Sequence, residues 1–374
     1  QWLHRLLKRG KRNMEIKFYS LDEILKKHAQ YNIIIGERSN GKTYATLLHC
    51  LKQYIKDGSQ FAVIRRWKED IRGKRAQTTF NGIVDNGVIT ELTNGNYDSV
   101  YYNSGKWFLC KYDESLKKPI CDNNPFAYGF SLTDMEHDKS TSYPNIRNIV
   151  FDEFITRTMY IPDEFVTFMN CISTIVRHRN DVKIFMLGNT VNKYCPYFNE
   201  FGLSNIQKQK QGTIDLYQYG KTGLKVAVEY CDSLNISKPS DVYFAFNNPK
   251  LKMVTSGVWE LDIYPHLPVK YNPKDILFTY FIEFDENIVQ CEIVSVDENI
   301  FTYIHKKTTP IKYDNDFLFT LKASPNYNTF RNIYKPMTKA HQKLLYYFNA
   351  NKVFYQDNEI GEIVRNYLNT CKTL

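Results

Sequence analysis

The sequence contains no long apolar segment. Although 43% of its 374 residues are hydrophobic, no uncharged run reaches the length of about 18 residues that a membrane-spanning helix needs. The basic opening stretch also lacks the apolar core and the small-residue cleavage site of a signal peptide. We therefore expect no membrane partner, and enough apolar side chains for the cores of two domains.

Closely spaced cysteines are absent as well. The eight cysteines are scattered and no C-x-x-C pair occurs, which argues against a zinc site or a redox couple and predicts reduced, mostly buried thiols. Positive charge, by contrast, is in excess: 49 Lys and Arg residues against 40 Asp and Glu residues give a formal net charge of +9. That balance suits an anionic partner such as nucleic acid, although solubility alone also explains it.

Short apolar runs alternate with longer segments in the first half of the chain. This alternation predicts an α/β domain with a central, mainly parallel sheet covered by helices. The predicted strands are Asn32–Ile35, Phe61–Arg65, Ala127–Leu132, Asn148–Phe151 and Lys183–Leu187. Between the second and third strands, alternating aromatic segments flank a polar, glycine-containing turn, which predicts a β-hairpin within Ser99–Lys111.

The second half has a different character. Three strand-like runs follow one another, separated by the turn triplets Asp285-Glu286-Asn287 and Asp297-Glu298-Asn299, which predicts a β-meander. Two closing helices are expected at Lys339–Ala350 and Glu359–Cys371. These features predict a second, smaller α+β domain.

Domain boundaries follow from these changes in pattern. Met14 is a candidate native start, so residues 1–13 are predicted to be an extension outside the fold. Residues 201–235 are polar without a clear period and are predicted to be a linker. The two domains are therefore expected at 14–200 and 236–374.

One motif in the first domain has the pattern G-x-x-x-x-G-K-[ST]. It follows a predicted strand and opens a predicted helix, which is the context that a phosphate-binding loop (P-loop) needs. In such loops backbone N–H groups bind phosphate oxygens, the lysine reaches the β and γ phosphates, and the hydroxyl ligates Mg²⁺. The predicted ATP-binding residues are Gly36, Glu37, Arg38, Ser39, Asn40, Gly41, Lys42 and Thr43.

Polar side chains at the ends of two later strands complete the candidate site. The run Asn148–Phe151 ends in Asp152, predicted as a Mg²⁺ ligand together with Thr43, and Glu153, predicted to polarise the attacking water. The next strand leads to Asn189, which is either a sensor of the γ-phosphate or an ordinary turn residue. Arg177, at the end of a predicted helix, either complements the helix dipole or acts as an arginine finger.

The chain resembles the DNA-packaging ATPases of small podophages of the Picovirinae type, which are relatives of the terminase large subunit. The resemblance rests on the segments FAVIRRWK (61–68), KSTSYPNIRNIVFDEF (139–154), YIP (160–162), VRHR (176–179) and Asn189 with PYF (196–198). It is specific over the first domain, whereas over the second domain only the general layout matches.

The resemblance implies a P-loop ATPase of the additional-strand, catalytic-glutamate class. The implied assembly is a homo-oligomeric ring of five subunits at the capsid portal that drives double-stranded DNA into a capsid, in the host cytoplasm and transiently at the procapsid. A scaffold RNA is a further candidate partner. Arg177 matches a trans-acting arginine finger, with Arg179 as the fallback, and Lys139 matches a second trans-acting basic residue. Arg65 and Arg66 match a pair that supports either the nucleotide site or a subunit contact.

In terminases the second domain resembles RNase H and carries a metal-dependent nuclease. Here Glu283 lies within a predicted strand, but the acidic residues of the two turn triplets are ordinary turn formers. We therefore expect a vestigial RNase H-like domain that does not cleave DNA. The competing hypotheses are a helicase or recombinase-like ATPase, a small-molecule kinase, and a terminase with a working nuclease.

Overall fold

The computed structural model describes residues 18–115, 117–134, 141–221, 223–232, 259, 262, 264–267, 269–335 and 338–373. The predicted extension at residues 1–13 and Lys139 lie outside these ranges. The chain divides into two compact units, each formed by several segments. Unit 1 comprises Gln1–Ile155, Phe165–Thr190 and Leu203–Val258, and unit 2 comprises Thr156–Glu164, Val191–Gly202 and Trp259–Leu374.

Unit 1 is built on one large sheet. Its strands within the described residues are β1 (Tyr31–Gly36), β2 (Gln60–Arg65), β3 (Ser99–Asn103), β4 (Lys106–Asp113), β5 (Lys118–Cys121), β6 (Ala127–Ser131), β7 (Ile146–Asp152), β8 (Lys183–Asn189), β9 (Thr213–Tyr219) and β10 (Leu224–Tyr230). Their order is β3-β4-β6-β2-β7-β8-β1-β10-β9, with β5 on β4. The central run from β6 to β10 is parallel. This confirms the predicted mainly parallel sheet, and β3 and β4 form the predicted hairpin.

Helices cover this sheet. They are α1 (Asp22–Leu25), α2 (Lys42–Asp57), α3 (Gly73–Gln77), α4 (Asn81–Asp85), α5 (Val88–Leu92) and α6 (Glu164–Val176). Helix α2 ends at Gly58, whose φ of 76° allows its N–H to cap the carbonyl of Tyr54 at 2.8 Å. Its apolar stripe of Leu47, Cys50 and Leu51 is buried in the same core as strand residues of the sheet, as a 3.6-residue period requires.

The predicted linker is wrong in part, because β9 and β10 form a hairpin within residues 201–235. Strand β10 pairs with β1 and has a buried centre at Val226, Ala227 and Val228. Strand β9 lies at the sheet edge, where no described strand covers its other side. Edge strands tolerate polar residues on exposed positions, so its sequence shows no clean alternation.

The expectation that all cysteines are reduced is also wrong. Cys110 and Cys121 form a disulfide, because they stand directly opposite each other on the antiparallel strands β4 and β5. Their separation along the chain carries no signal for this pairing. The other cysteines are buried thiols outside this disulfide, as predicted: Cys50, Cys171, Cys195, Cys231, Cys291 and Cys371.

Unit 2 contains a second sheet. Its described strands are β11 (Ile276–Phe284), β12 (Asn287–Val296), β13 (Asn299–Lys306), β14 (Phe317–Thr320), β15 (Thr329–Phe330) and β16 (Val353–Tyr355), in the order β15-β14-β11-β12-β13-β16. Strands β11 to β13 are the predicted meander, and β14 and β15 continue in parallel on the other side of β11. This arrangement confirms the predicted meander, whereas the RNase H-like assignment of this unit stays a prediction.

The helices of unit 2 are α7 (Pro196–Glu200), α8 (Lys339–Asn349) and α9 (Asn358–Thr373). Helix α8 begins after Thr338, whose Oγ1 atom accepts from the N–H of His341 at 3.1 Å. Helix α9 buries Ile363, Val364 and Tyr367 in the core that also contains β11 and β12. Across the described ranges, no helix is both long and apolar enough to cross a membrane.

Candidate nucleotide site

The P-loop joins β1 to α2 in the backbone shape that phosphate binding requires. Gly41 has a φ of 93° and Ser39 a φ of 60°, so the chain turns sharply before the helix and directs N–H groups into one concavity. Gly36 lies so close to Cys231 that a Cβ atom there would be 2.9 Å from the Cys231 Cβ. Local geometry therefore favours glycine at both glycine positions of the motif.

Lys42 is buried at the mouth of this concavity. Its Nζ atom donates to the carbonyl oxygens of Glu37 (2.6 Å) and Gly36 (3.4 Å) and to the Oδ1 atoms of Asn40 (3.1 Å) and Asn189 (3.2 Å). Burial lowers the pKa of Lys42, although nearby acidic groups oppose that shift. A buried ammonium group held by uncharged oxygens is suited to exchange them for phosphate oxygens.

Contacts from distant parts of the chain support the loop, and no sequence pattern predicts them. The N–H of Tyr19 donates to the carbonyl of Asn40 at 3.0 Å, and its hydroxyl donates to Glu229 Oε2 at 2.6 Å. Burial is the main reason that the pKa of Glu229 is raised. Glu229 lies near the end of β10, within the segment predicted to be a linker, so its place beside β1 could not be anticipated.

The two acidic residues at the carboxyl end of β7 share one arginine. Asp152 is buried, and its Oδ1 atom accepts from the Thr43 hydroxyl at 3.2 Å. Arg65, at the end of β2, contacts Asp152 Oδ2 at 2.9 Å and Glu153 Oε2 at 3.0 Å. Burial raises the pKa of Asp152, and the positive charge of Arg65 opposes that rise. Thr43 and Asp152 thus place two oxygen ligands of the kind Mg²⁺ prefers side by side.

Glu153 has a strained backbone that a second arginine holds. Its φ is 61°, a conformation that non-glycine residues rarely adopt. The buried guanidinium of Arg66 donates to the carbonyls of Glu153 at 3.2 Å and Phe154 at 2.7 Å. The Glu153 side chain is 64% exposed, so its carboxylate can reach solvent. Arg65 and Arg66 therefore both contact the segment that carries Asp152 and Glu153, and their roles stay predictions.

Asn189 ends β8 at the same edge of the sheet. It lies opposite Gly36 in the parallel register with β1, and its Oδ1 atom accepts from Lys42 Nζ. The next residue, Thr190, donates its N–H to the carbonyl of Gly36 at 3.2 Å. The structure thus brings Asn189 to the P-loop, although an amide in this place also serves simply to orient Lys42.

The two arginines after α6 differ in their surroundings. Arg179 donates to the carbonyls of Pro144, Ile146, Tyr143 and Ile175, at distances from 2.6 to 3.1 Å. Arg177 is exposed and donates to the carbonyl of Thr141 at 3.0 Å. Arg179 therefore holds the segment before β7 in place, whereas the guanidinium of Arg177 faces solvent.

The acidic strand residue of unit 2 has a cationic partner. Glu283 Oε1 contacts Lys322 Nζ at 2.5 Å. Burial alone would raise the pKa of Glu283, but hydrogen bonds from Lys322 and Thr320 outweigh it and the pKa is lowered. Nowhere in the described part of either unit do three or more His, Cys, Asp or Glu side chains form a group that could hold a metal ion.

Comparisons with known proteins agree with this picture. The DNA packaging proteins of Bacillus phages PZA and phi29 are each 30% identical to the chain over 189 residues, which are 50% of the chain and 50% of each relative. The DNA packaging protein of Bacillus phage B103 is 31% identical over 175 residues, 46% of the chain and 48% of the relative. The chain thus aligns with about half the length of these relatives.

Solved structures extend the likeness to both units. The bacteriophage Phi-29 viral genome packaging motor assembly matches with a TM-score of 0.54 and 21% identity over 93% of the chain and 96% of the matched chain. The Phi-28 gp11 DNA packaging motor matches with a TM-score of 0.50 and 18% identity over 95% and 98%. At these identities the likeness concerns the fold alone. The family described as podovirus DNA encapsidation protein (Gp16) matches residues 14–240, and because that match covers more than half of the chain, the chain belongs to this family.

Proposed function

We propose that this chain is the ATP-hydrolysing subunit of a motor that moves double-stranded DNA into a viral capsid. The observation that carries the proposal is the convergence of Lys42, the Thr43–Asp152 pair and Glu153 at the carboxyl edge of one parallel sheet. Relatives that share 30% of aligned residues are named DNA packaging proteins. Ligands of open α/β sheets bind at this edge.

The residues at the edge divide the chemistry among them. The N–H groups of the loop 36–43 and the ammonium of Lys42 bind the β and γ phosphates of ATP. Thr43 and Asp152 would hold Mg²⁺, Asp152 either directly or through water, and the ion would neutralise charge on the phosphates. Glu153 takes a proton from the attacking water, and Asn189 orients Lys42 toward the γ-phosphate.

Arg177 completes the site of a neighbouring subunit in a homo-oligomeric ring, which we propose to be a pentamer at the capsid portal. A trans-acting arginine finger must reach from its own subunit into the active site of a neighbouring subunit, and the guanidinium of Arg177 is exposed enough to do so. Arg179 is less suited to this role, because it is partly buried and donates to four backbone carbonyls, whereas Arg177 is exposed. Lys139 remains the proposed second trans-acting residue, and a scaffold RNA remains a candidate partner.

Mixing two inactive variants tests this assignment. Arg177→Ala and Glu153→Ala should each abolish ATP hydrolysis, whereas an equimolar mixture should recover part of it, because an intact Glu153 site can use Arg177 of its neighbour. Lys42→Ala mixed with Glu153→Ala is the matched control and should stay inactive, since neither subunit then has a complete site. Absence of recovery from associating, folded variants would contradict a trans-acting Arg177.

DNA dependence separates the motor from the competing hypotheses. A packaging motor should be stimulated by duplex DNA more than by single strands, and its DNA binding should weaken steeply with salt and show little sequence preference. Stronger stimulation by single strands would favour a helicase-like ATPase. Phosphate transfer to a metabolite without DNA would favour a small-molecule kinase.

Unit 2 is proposed to be a vestigial nuclease domain. The Glu283 carboxylate is neutralised by Lys322, whereas two-metal nucleases need several acids that converge on the ions. Purified protein should therefore leave supercoiled plasmid intact in Mg²⁺ or Mn²⁺. Metal-dependent nicking that Glu283→Ala abolishes would contradict this proposal.

A further inference from the structure

Two chain segments that leave the catalytic edge of unit 1 are incorporated into unit 2. The segment 156–164 begins at the third residue after Glu153, and the segment 191–202 begins at the second residue after Asn189. Both segments belong to unit 2 by their contacts. The two strands that end in proposed catalytic side chains therefore continue directly into the second unit.

Helix α9 binds both segments. Arg157 Nη2 contacts Glu362 Oε1 at 2.6 Å, and Asn192 Nδ2 donates to Asn366 Oδ1 at 2.8 Å. The carboxylate of Glu362 is 3% exposed and Asn366 is buried. An exposed pair, Lys193 with Glu359 at 2.5 Å, adds a third contact. Each segment thus has a buried polar attachment to the same helix.

The attachments occupy one face of α9. Positions 359, 362 and 366 are spaced i, i+3 and i+7, which aligns them along the helix. Another stripe of the helix, formed by Ile360, Ile363, Val364, Tyr367 and Cys371, is buried in the core of unit 2. Helix α9 therefore joins the hydrophobic core to the two segments, and a shift of either segment must act on it.

The two segments are also bonded to each other. Arg157 Nη1 donates to the carbonyl of Val191 at 2.7 Å. The hydroxyl of Tyr197, which is fully buried, donates to Glu164 Oε1 at 2.9 Å, and Glu164 Oε2 accepts from the N–H of Ile161 at 2.8 Å. Hydrogen bonds to buried charged groups resist separation, because breaking one leaves the charge without its partner. The segments therefore respond as one body rather than as two independent loops.

We propose that Arg157 and Asn192 are positioning residues that couple the nucleotide site to α9. Arg157 lies four positions after Glu153 and Asn192 lies three positions after Asn189, so these tethers can span at most about 14 Å and 11 Å. A change of backbone at Glu153 or Asn189 when nucleotide binds is transmitted through the tethers to the polar face of α9. The inference rests on the proposed binding of nucleotide at the P-loop.

Hydrogen exchange of the full chain with and without ATPγS and Mg²⁺ tests the coupling. In the wild-type protein, nucleotide should slow exchange in α2 and also change exchange in α9 by about threefold or more. Arg157→Ala and Asn192→Ala should keep the response of α2 and lose most of the response of α9. Arg157→Lys, which keeps the charge, should retain part of it. A purely structural role would alter α9 equally with and without nucleotide.

Controls distinguish the possible failures. Arg147→Ala removes a half-exposed ion pair with Asp181 in unit 1 and should leave the α9 response intact. Asn192→Ala leaves no unpaired buried charge, so it remains informative where Arg157→Ala unfolds the protein. A wild-type α9 that ignores nucleotide while α2 responds would overturn the coupling alone, as would unchanged α9 responses in both variants. A wild-type α2 without any response would contradict nucleotide binding itself.

Discussion

Acidic side chains lie on the sheets of both units, but their surroundings are opposite. Asp152 is buried at the end of a parallel strand, and burial raises its pKa. Glu283 lies within β11, and its contacts with Lys322 and Thr320 lower its pKa against the effect of burial. A buried carboxyl group whose ionisation is unfavourable is typical of a functional site, whereas a carboxylate whose ionised form is stabilised by a lysine behaves as part of a structural ion pair.

Backbone conformation makes the same distinction. Asp285 and Glu286 have φ of 49° and 63°, and they form the two-residue turn between β11 and β12. Such hairpin turns require φ above zero at both central residues. Glu153 has a φ of 61° without a hairpin to require it, and Arg66 holds its carbonyl. The positive φ angles in unit 2 are therefore explained by the hairpin turn, whereas the positive φ of Glu153 in unit 1 is associated with the candidate site.

The comparison is tested most strongly by Glu153→Gln against Glu283→Gln. Loss of the Glu153 carboxylate should reduce the rate of ATP hydrolysis by about 10²- to 10⁴-fold, because the amide cannot accept a proton from water. Glu283→Gln should leave the rate within about twofold. Steady-state phosphate release measures both. Binding of a fluorescent ATP analogue serves as the control and should persist in each variant. Equal losses in the two variants would break the distinction between the units.

Arg65→Ala should have the next largest effect. It frees both Asp152 and Glu153, and misorientation of a catalytic base costs about 10- to 100-fold in kcat. The positive charge of Arg65 lowers the pKa of Asp152, so its removal should move the acidic limb of the pH–rate profile to higher pH. Arg75→Ala, which removes an exposed pair with Asp70, is the matched control. An unshifted acidic limb would contradict the role given to Arg65.

Much of this architecture follows from local pattern. The parallel strands are visible as short apolar runs because both faces of the sheet are covered, and the meander is visible because polar turn residues separate its strands. The convergence of Lys42, Asp152 and Asn189 was expected because parallel strands bring their carboxyl ends to one edge. Their catalytic roles stay predictions.

Features that depend on distant contacts were missed. Strand β9 at the sheet edge carries polar residues, so its sequence looks like a linker. The Cys110–Cys121 disulfide depends on the register between β4 and β5, and the bond from Tyr19 to Glu229 joins residues 210 positions apart. The alternation of segments between the two units is likewise a tertiary property, because no composition change marks residues 156 or 191.

Asp152→Asn should stabilise the nucleotide-free protein. The folded state raises the pKa of Asp152 above its ordinary value of 3.8, so ionisation opposes folding. The advantage of the variant should be absent at pH below 3.8, grow as pH rises from there through the raised pKa, and level off above it. Calorimetric unfolding at several pH values measures it. A variant that is less stable than the wild type at pH 7 would show that the Arg65 pair outweighs the cost of burial.

The smallest expected effect concerns the Glu283–Lys322 pair, whose lysine side chain is 64% exposed. A double-mutant cycle with Glu283→Gln and Lys322→Met should give a coupling of about 0.5 kcal/mol at pH 7, because solvent screens exposed pairs. The folded state lowers the pKa of Glu283 from 4.5, so the coupling should be present above that pH and be lost as pH falls through the lowered value. Urea unfolding at pH 7 and pH 3 measures both limits. A coupling that persists at pH 3 would show that it does not depend on the ionised carboxylate. A coupling that Mg²⁺ abolishes at pH 7 would show that the carboxylate of unit 2 binds a metal in preference to its lysine, as proposed for Asp152 in unit 1.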